Sequence, residues 1–582
     1  MEERIRKAIE KILSELGVSD VVFTVERPSD PQHGDYATNV ALVAFSKAVQ
    51  SNRPFVEKVV GHSIPKKEHR KSFGTYTRHG FGKDSYELAQ QIKTQLGTID
   101  GVEKIEVARP GFVNITLARE AVAFAVAEAD AKGAEWGKGV AEKGKRVIVE
   151  YSNPNAFKEM HIGHLVGTVV GEAVSRLIEN SGATIARDTF GGDIGPNVAK
   201  ALWGLRKKHI SEPTTAAEIG ASYVEGSNAY ESDPQAKTEI DALNQAIYAS
   251  TDRELMELWR KGRDVSMAEI RRIWRLLGTR FDFEFFDSDT TETGVRVVHD
   301  GFTKGVFEKS DGAIIYDGEK KGVHTMVFIT SHDTPTYEAK DIGLAFLKEE
   351  RWPSDRSIII TGNEQTGRLK TVRAALSEIA PLLAVKTIHL ATGFLRLAAG
   401  KMSSREGNVI TADGFIRDVT EKALVKNADP LIAEQVAIGA IKYMILRQAP
   451  GSDIVFDEDK SLSLEGDSGP YLQYALVRAR SILARATNSQ QPTNNAAPAE
   501  PARIERLILH YPEVAARAAR ELAPNLLTTY LTELAAAWNS FYATEQVLGS
   551  PEEAYKQRLA RAFANTMTNG LTLLGIPAPE KM

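Results

Sequence analysis

The sequence contains no cysteine. That absence excludes disulfides, thiolate zinc sites and cysteine nucleophiles, and it is compatible with a reducing compartment. Also missing is any apolar run of about eighteen residues, the length a membrane-spanning helix needs. The opening segment MEERIRKAIEKILSELG places Ile5, Ile9, Ile12 and Leu16 on one face of a charged helix, unlike the apolar core of a signal peptide. Neither charge sign dominates: the 582 residues carry a formal net charge of −5. With 26% charged and 42% hydrophobic residues, wholesale disorder and a collagen-like repeat are excluded. No repeat of solenoid period occurs. These absences leave a multidomain globular chain, expected in the cytoplasm and without membrane contact.

Three regions follow from the patterning. Residues 1–140 mix helix and strand signals. KIEVA and FVNITLA, separated by Arg109-Pro110-Gly111, read as a hairpin that closes a small α+β module. Residues 141–452 open with KRVIVEYS, a near-continuous β-branched run of the kind found in buried parallel strands. A glycine-containing turn and a helix with Leu165, Val169, Ala173 and Leu177 on one face follow it. Strand, turn and helix in that order open a doubly wound α/β domain. TMVFIT (325–330) and SIIIT (357–361) are further buried-strand candidates, and 220–275 reads as inserted helices. Residues 453–582 read as an all-α bundle, interrupted by a Pro/Ala/Asn linker at 487–502.

One stretch stands apart. Residues 52–83 carry eight Lys/Arg against two Asp/Glu, and glycines and Pro65 interrupt any helix. It reads either as a phosphate-contacting basic loop or as an idle solvated insertion.

Two constellations carry chemistry. His161-Ile162-Gly163-His164 sits where the first strand passes into its helix, so two imidazoles three apart can meet one ligand over the strand's carboxyl end. Gly163 lets a phosphate or planar group approach, and a helix N terminus offers amides and the positive end of its dipole. A metal pair, or a capping histidine beside a gap-filling one, are the alternatives. Gly400-Lys401-Met402-Ser403-Ser404-Arg405 is a glycine-flanked loop whose lysine and hydroxyls suit a polyphosphate.

Together the two resemble the paired signatures of class I aminoacyl-tRNA synthetases. The resemblance narrows to the arginyl branch. VIVEYSNPNAFKEMHIGH (147–164) and TPTYEAKD (334–341) are similar to that family's motif and arginine-binding helix. GDYATNVAL (34–42) and RPGFVNI (109–115) resemble its N-terminal tRNA-contacting domain, and LEGDSGPYLQYALVRARSIL (464–483) its anticodon-binding domain. Two departures stand out. Ser404 occupies the position of a frequent second lysine, and 52–83 has no evident counterpart.

The resemblance implies a Rossmann-like catalytic domain, flanked by the α+β domain and the anticodon-binding bundle. It also implies ATP and L-arginine as substrates, Mg²⁺ with the nucleotide, tRNA(Arg) as partner and a monomer. His161, Gly163 and His164 would contact ATP, with Lys401, Met402, Ser403 and Ser404 on its phosphates. Glu150, Asn155, Tyr337 and Asp341 would hold arginine. A carboxylate ending a buried strand must face the ligand or be otherwise paired, and two carboxylates with a phenol suit a planar guanidinium. By motif position Tyr36, Phe112 and Asn114 would lie near the tRNA. Tyr474, Arg478 and Tyr530 are stacking candidates in the bundle. No protein metal site is expected.

Overall fold

The computed structural model describes residues 1–18, 20–51, 84–398, 410–486 and 497–582. The basic stretch 52–83, the loop residues Lys401, Met402, Ser403 and Ser404, and linker residues 487–496 lie outside the described residues. Among the described residues, no helix is long and apolar enough to cross a membrane. The chain forms two compact units.

The smaller unit comprises Met1–Gly133, Arg485–Glu513 and Thr544–Phe563. It contains α1 (Glu2–Glu15), β1 (Val25–Glu26), β2 (Tyr36–Thr38), α2 (Val40–Ser51), α3 (Ser85–Leu96), β3 (Val102–Ala108), β4 (Phe112–Leu117) and α4 (Arg119–Lys132). The strands form an antiparallel sheet in the order β1-β2-β4-β3. Its inward face buries Val113, Ile115 and Leu117 against Ile5, Ile9 and Ile92 of the helices. Alternation leaves Phe112 and Asn114 on the opposite face. Two carboxylates are anchored inside this unit: Asp35 accepts from Leu117 N at 2.7 Å and pairs with Arg506, and Glu505 pairs with Arg119 at 2.8 Å.

The larger unit spans Ala134–Ala484, Val514–Ala543 and Ala564–Met582. Its centre is a five-stranded parallel sheet of β5 (Arg146–Glu150), β6 (Thr184–Gly191), β7 (Phe283–Phe286), β11 (Arg356–Gly362) and β12 (Thr387–Thr392), ordered β12-β11-β5-β6-β7. From β5 the chain winds outward to β6 and β7, then returns to build β11 and β12 on β5's other side. The order therefore reverses between β5 and β11, where such sheets leave a crevice above their strand ends. Helix α5 (Ile162–Asn180) crosses from β5 to β6. It lies so close to the chain that a Cβ on Gly171 would sit 2.1 Å from Tyr151 Cγ. Tyr151 cannot easily yield, because its hydroxyl donates to Glu172 Oε2 at 2.8 Å. Gly171→Ala should therefore cost about 1–3 kcal/mol through overpacking. Urea denaturation checks this, and an unchanged midpoint would mean the Tyr151 ring moves aside.

Between β6 and β7 run α6 (Pro196–Lys207), α7 (Ala216–Ser232), α8 (Pro234–Ala249) and α9 (Arg253–Leu276), the inserted helices expected from 220–275. TMVFIT does not join the parallel sheet. After α10 (Asp287–Thr303) come β8 (Glu308–Ser310), β9 (Ala313–Tyr316) and β10 (Met326–Ile329), which form a separate antiparallel sheet. The connection from β9 to β10 is too short for the crossover that a parallel pair needs, so the run folds back as a hairpin. Helix α11 (Tyr337–Arg351) precedes β11, and α12 (Thr366–Ile379) follows it. Then come β13 (Leu395–Leu397), α13 (Ala412–Lys426), α14 (Pro430–Leu446), β14 (Ile454–Phe456) and α15 (Gly469–Ala486). Among the described residues after 453, β14 is the one strand, and it pairs in parallel with β13. Helices Arg503–Arg520, Pro524–Thr544 and Glu553–Leu573 end the chain.

Candidate active site

A cavity of about 820 Å³ opens at the reversal between β5 and β11. It is lined by Glu150, Asn155, His161, Gly163, His164, Tyr337 and Asp341, all of the described residues expected to bind ATP or arginine. The end of β5, the loop after it and the first turn of α5 deliver the first five. Ser152, Asn153 and Phe157 within it have left-handed φ values of 73°, 48° and 65°. Such backbone is costly for side-chain-bearing residues and clusters at functional sites.

The two histidines cap their helix reciprocally. Gly163 N donates to His161 Nδ1 at 3.1 Å, and His161 N donates to His164 Nδ1 at 3.3 Å. Their rings stack with centroids 3.8 Å apart. Capping and ligand contact, alternatives from sequence, are here compatible. An Nδ1 that accepts a hydrogen bond puts the proton of a neutral ring on Nε2, so each ring keeps an Nε2–H donor for a ligand. Burial and the neighbouring His161 push His164 down to about 3; burial and Lys158 lower His161. Both rings are therefore neutral donors near pH 7. Gly163 has a steric reason, since a Cβ there would approach His161 Cε1 to 2.9 Å. One expectation needs correction. The helix N terminus does not offer its first amides freely, because Ile162 N donates to Ile410 O at 3.1 Å and Gly163 N serves His161.

That bond to Ile410 has a second consequence. Ala412 N also donates to Met160 O, and His161 bridges Thr411. The chain emerging from the Lys401–Ser404 segment is thus fastened beside the histidine pair.

Across the crevice the cavity floor is acidic. Glu150 Oε1 accepts from Asn153 Nδ2 at 2.9 Å, and Oε2 accepts from Lys348 Nζ at 2.6 Å. Lys348 also pairs with Asp188 at 2.7 Å. On α11, Asp341 lies one turn beyond Tyr337 and pairs with Arg368 of α12. Burial raises Asp341 to about 6, and Arg368 works against that rise. His389 of β12 meets Thr361 Oγ1 at 2.9 Å, and burial keeps it neutral. Lys348, Arg368, Asp188 and Asn153 were not singled out from sequence. Lys348 had a signal, because it lies two turns past Asp341 on the same face of α11. Arg368 had none: only the fold brings it to Asp341.

The RNA candidates separate. Phe112 is 38% exposed and shares an open sheet face with Asn114. Tyr36 is buried in its unit's core and donates to Glu513 Oε1 at 2.8 Å, so it presents no ring face to solvent. Tyr530 is likewise buried. Tyr474 and Arg478 are half-buried, with the Arg478 guanidinium 4.1 Å from the Tyr542 ring centroid and 5.4 Å from that of Tyr474. An arginine between two phenol rings is a flat, cationic stacking surface.

Comparison with known proteins places this geometry. Residues 126–458, more than half of the chain, match the family model described as tRNA synthetases class I (R), catalytic domain. Residues 472–582 match the DALR anticodon binding domain, and 1–71 with 78–117 match the arginyl tRNA synthetase N terminal domain. The last match corrects the expectation that 52–83 lacks a counterpart: within that stretch only 72–77 fall outside it. The chain is 29% identical to an arginine–tRNA ligase of Flavobacterium psychrophilum over 87% of this chain and 91% of that one. It is 29% identical to that of Treponema denticola, over 96% and 95%. Among solved structures, Thermus thermophilus arginyl-tRNA synthetase matches with a TM-score of 0.78 and 26% identity, covering 100% of both chains. The Plasmodium falciparum arginyl-tRNA synthetase shares the fold, with a TM-score of 0.77 and 18% identity over 100% of this chain and 99% of that one.

Proposed function

The chain belongs to the class I arginyl-tRNA synthetase family, and from that premise we propose that it activates L-arginine with ATP and transfers it to the 3′-terminal adenosine of tRNA(Arg). The observation that carries the reading is the cavity at the sheet's reversal, which both the neutral histidine donors and the acidic floor line. The arginine carboxylate attacks the α-phosphorus of ATP and pyrophosphate leaves. Catalysis of such transfers rests on positioning and on stabilising developing charge. His161 and His164 donate from Nε2 to the phosphate oxygens. Lys401 holds the departing pyrophosphate with Ser403 and Ser404 beside it, and Met402 borders the nucleotide.

Glu150 and Asp341 take the guanidinium, with Asn155 and Tyr337 completing the pocket. A site built for a planar fork leaves its acceptors unpaired around a lysine ammonium, which supports discrimination of roughly 10⁴ without editing. Mg²⁺ bound to the ATP phosphates would neutralise their charge. Among the described residues there is no cluster of three or more His, Cys, Asp or Glu that could hold a metal ion.

Residues 1–140 and 453–582 serve the tRNA, and 141–452 the chemistry, in a cytoplasmic monomer. Phe112, Asn114, Tyr474 and Arg478 are the RNA contacts favoured by exposure; Tyr36 and Tyr530 support them from within. The test is ATP–pyrophosphate exchange with each of the twenty amino acids in the presence of tRNA. Exchange with arginine alone is expected, and exchange with another amino acid would overturn the assignment.

Asp341 gives the reaction a pH dependence. Arginine stays protonated throughout, and only ionised Asp341 pairs with it. With the carboxyl raised to about 6, arginine affinity is complete well above that pH and is lost as pH falls through it. The KM for arginine should rise roughly tenfold per unit below pH 6, since each unit removes that share of the ionised form. A KM flat to pH 5 would contradict it.

A further inference from the structure

Glu150 ends β5 directly opposite Asp188 on β6, and the two carboxylates are 3% and 0% exposed. Two buried like charges at adjacent strand ends repel each other, and burial adds to the cost of holding both. Lys348 offsets this. Its ammonium, 5% exposed, reaches from α11 to both, 2.6 Å from Glu150 and 2.7 Å from Asp188. Glu150 lines the cavity and Asp188 does not, so Asp188 stands behind the lysine, away from any ligand.

The charges nearest these three are largely paired, with Glu338 of α11 also acting on Asp341 and Arg368. Asp341 of α11 is matched by Arg368 of α12, and His389 of β12 is neutral. Glu150, Asp188 and Lys348 together leave one negative charge. That surplus corresponds to one incoming guanidinium. Burial pushes Asp188 upward, while Lys348 is held as a cation by its two carboxylates.

We propose that Lys348 is a positioning residue for substrate recognition: by bridging Asp188 and Glu150 it offsets their repulsion and holds the Glu150 carboxylate aimed at the guanidinium, leaving the three groups with one net negative charge. The proposal rests on the reading that Glu150 contacts arginine. Asp188 thereby belongs to the recognition apparatus without touching substrate.

Steady-state pyrophosphate exchange with tRNA present, on the full chain, tests it. Lys348→Met should raise the KM for arginine on the order of 10²-fold, the scale of a lost charge-assisted contact. The kcat and the KM for ATP should change by less than about threefold, because the phosphate site lies elsewhere in the cavity. Adding Asp188→Asn removes the competing charge. The double variant should recover most of the arginine affinity, an outcome that a merely structural lysine would not produce. An unchanged arginine KM in Lys348→Met, or a double variant no better than the single one, overturns the proposal. Glu150→Gln separates the two levels. If it leaves the arginine KM unchanged, the underlying reading of Glu150 fails; if it raises that KM while Lys348→Met does not, only the role of Lys348 fails.

Discussion

His164→Asn should lower the rate of arginine activation by about 10²–10³ while leaving the fold nearly as stable as before. The two effects separate because His164 does two things with two nitrogens. Its Nδ1 accepts from His161 N at 3.3 Å, and an asparagine oxygen can take over that bond. Its Nε2–H is the donor available to the phosphate, and nothing in asparagine reproduces its reach along the stacked ring of His161. Single-turnover activation, beside a urea melt, distinguishes the two. A variant that is stable and fully active would show that the histidine only caps its helix. A variant that is inactive because it is unfolded would place its weight on the cap.

The second large effect belongs to the acidic floor. Asp341→Asn keeps an acceptor for Arg368 but removes the charge that meets the guanidinium. Charge-assisted bonds are about twice as strong as neutral ones, and the variant also leaves a surplus cation beside the substrate. The KM for arginine should rise on the order of 10²-fold, with the KM for ATP nearly constant. The rise of KM below pH 6 should disappear, because the group responsible for it no longer titrates. Persistence of that rise in Asp341→Asn would assign it to another carboxylate.

Much of this site was legible in the sequence because its residues sit on short, regular spacings. Glu150 ends an apolar run, His161 and His164 are three apart, and Tyr337 and Asp341 are four apart on one helix. What spacing could not convey was which charges are already matched. Lys348 and Arg368 reach Glu150 and Asp341 from elsewhere in the chain, so the floor is a network of ion pairs rather than a pair of free carboxylates. The fold divides in the same way. KRVIVEYS and SIIIT became neighbouring parallel strands because both are short β-branched runs followed by helices. TMVFIT has the same composition, yet its nearby partner β9 made it half of a hairpin. Apolar runs report burial; the length of the connection decides the partner. Tyr36 illustrates a third limit. Its motif position suggested RNA, but strand alternation turns it inward to Glu513 while Phe112 and Asn114 face out.

The most direct test of the account is arginylation itself. Purified chain, ATP, Mg²⁺ and tRNA(Arg) are mixed with labelled arginine or labelled lysine, and acid-precipitable tRNA is counted. Label from arginine should accumulate on the tRNA's terminal adenosine, with lysine lower by roughly 10⁴ in kcat/KM. Comparable charging with lysine, or arginine consumed without any label on the tRNA, would contradict it.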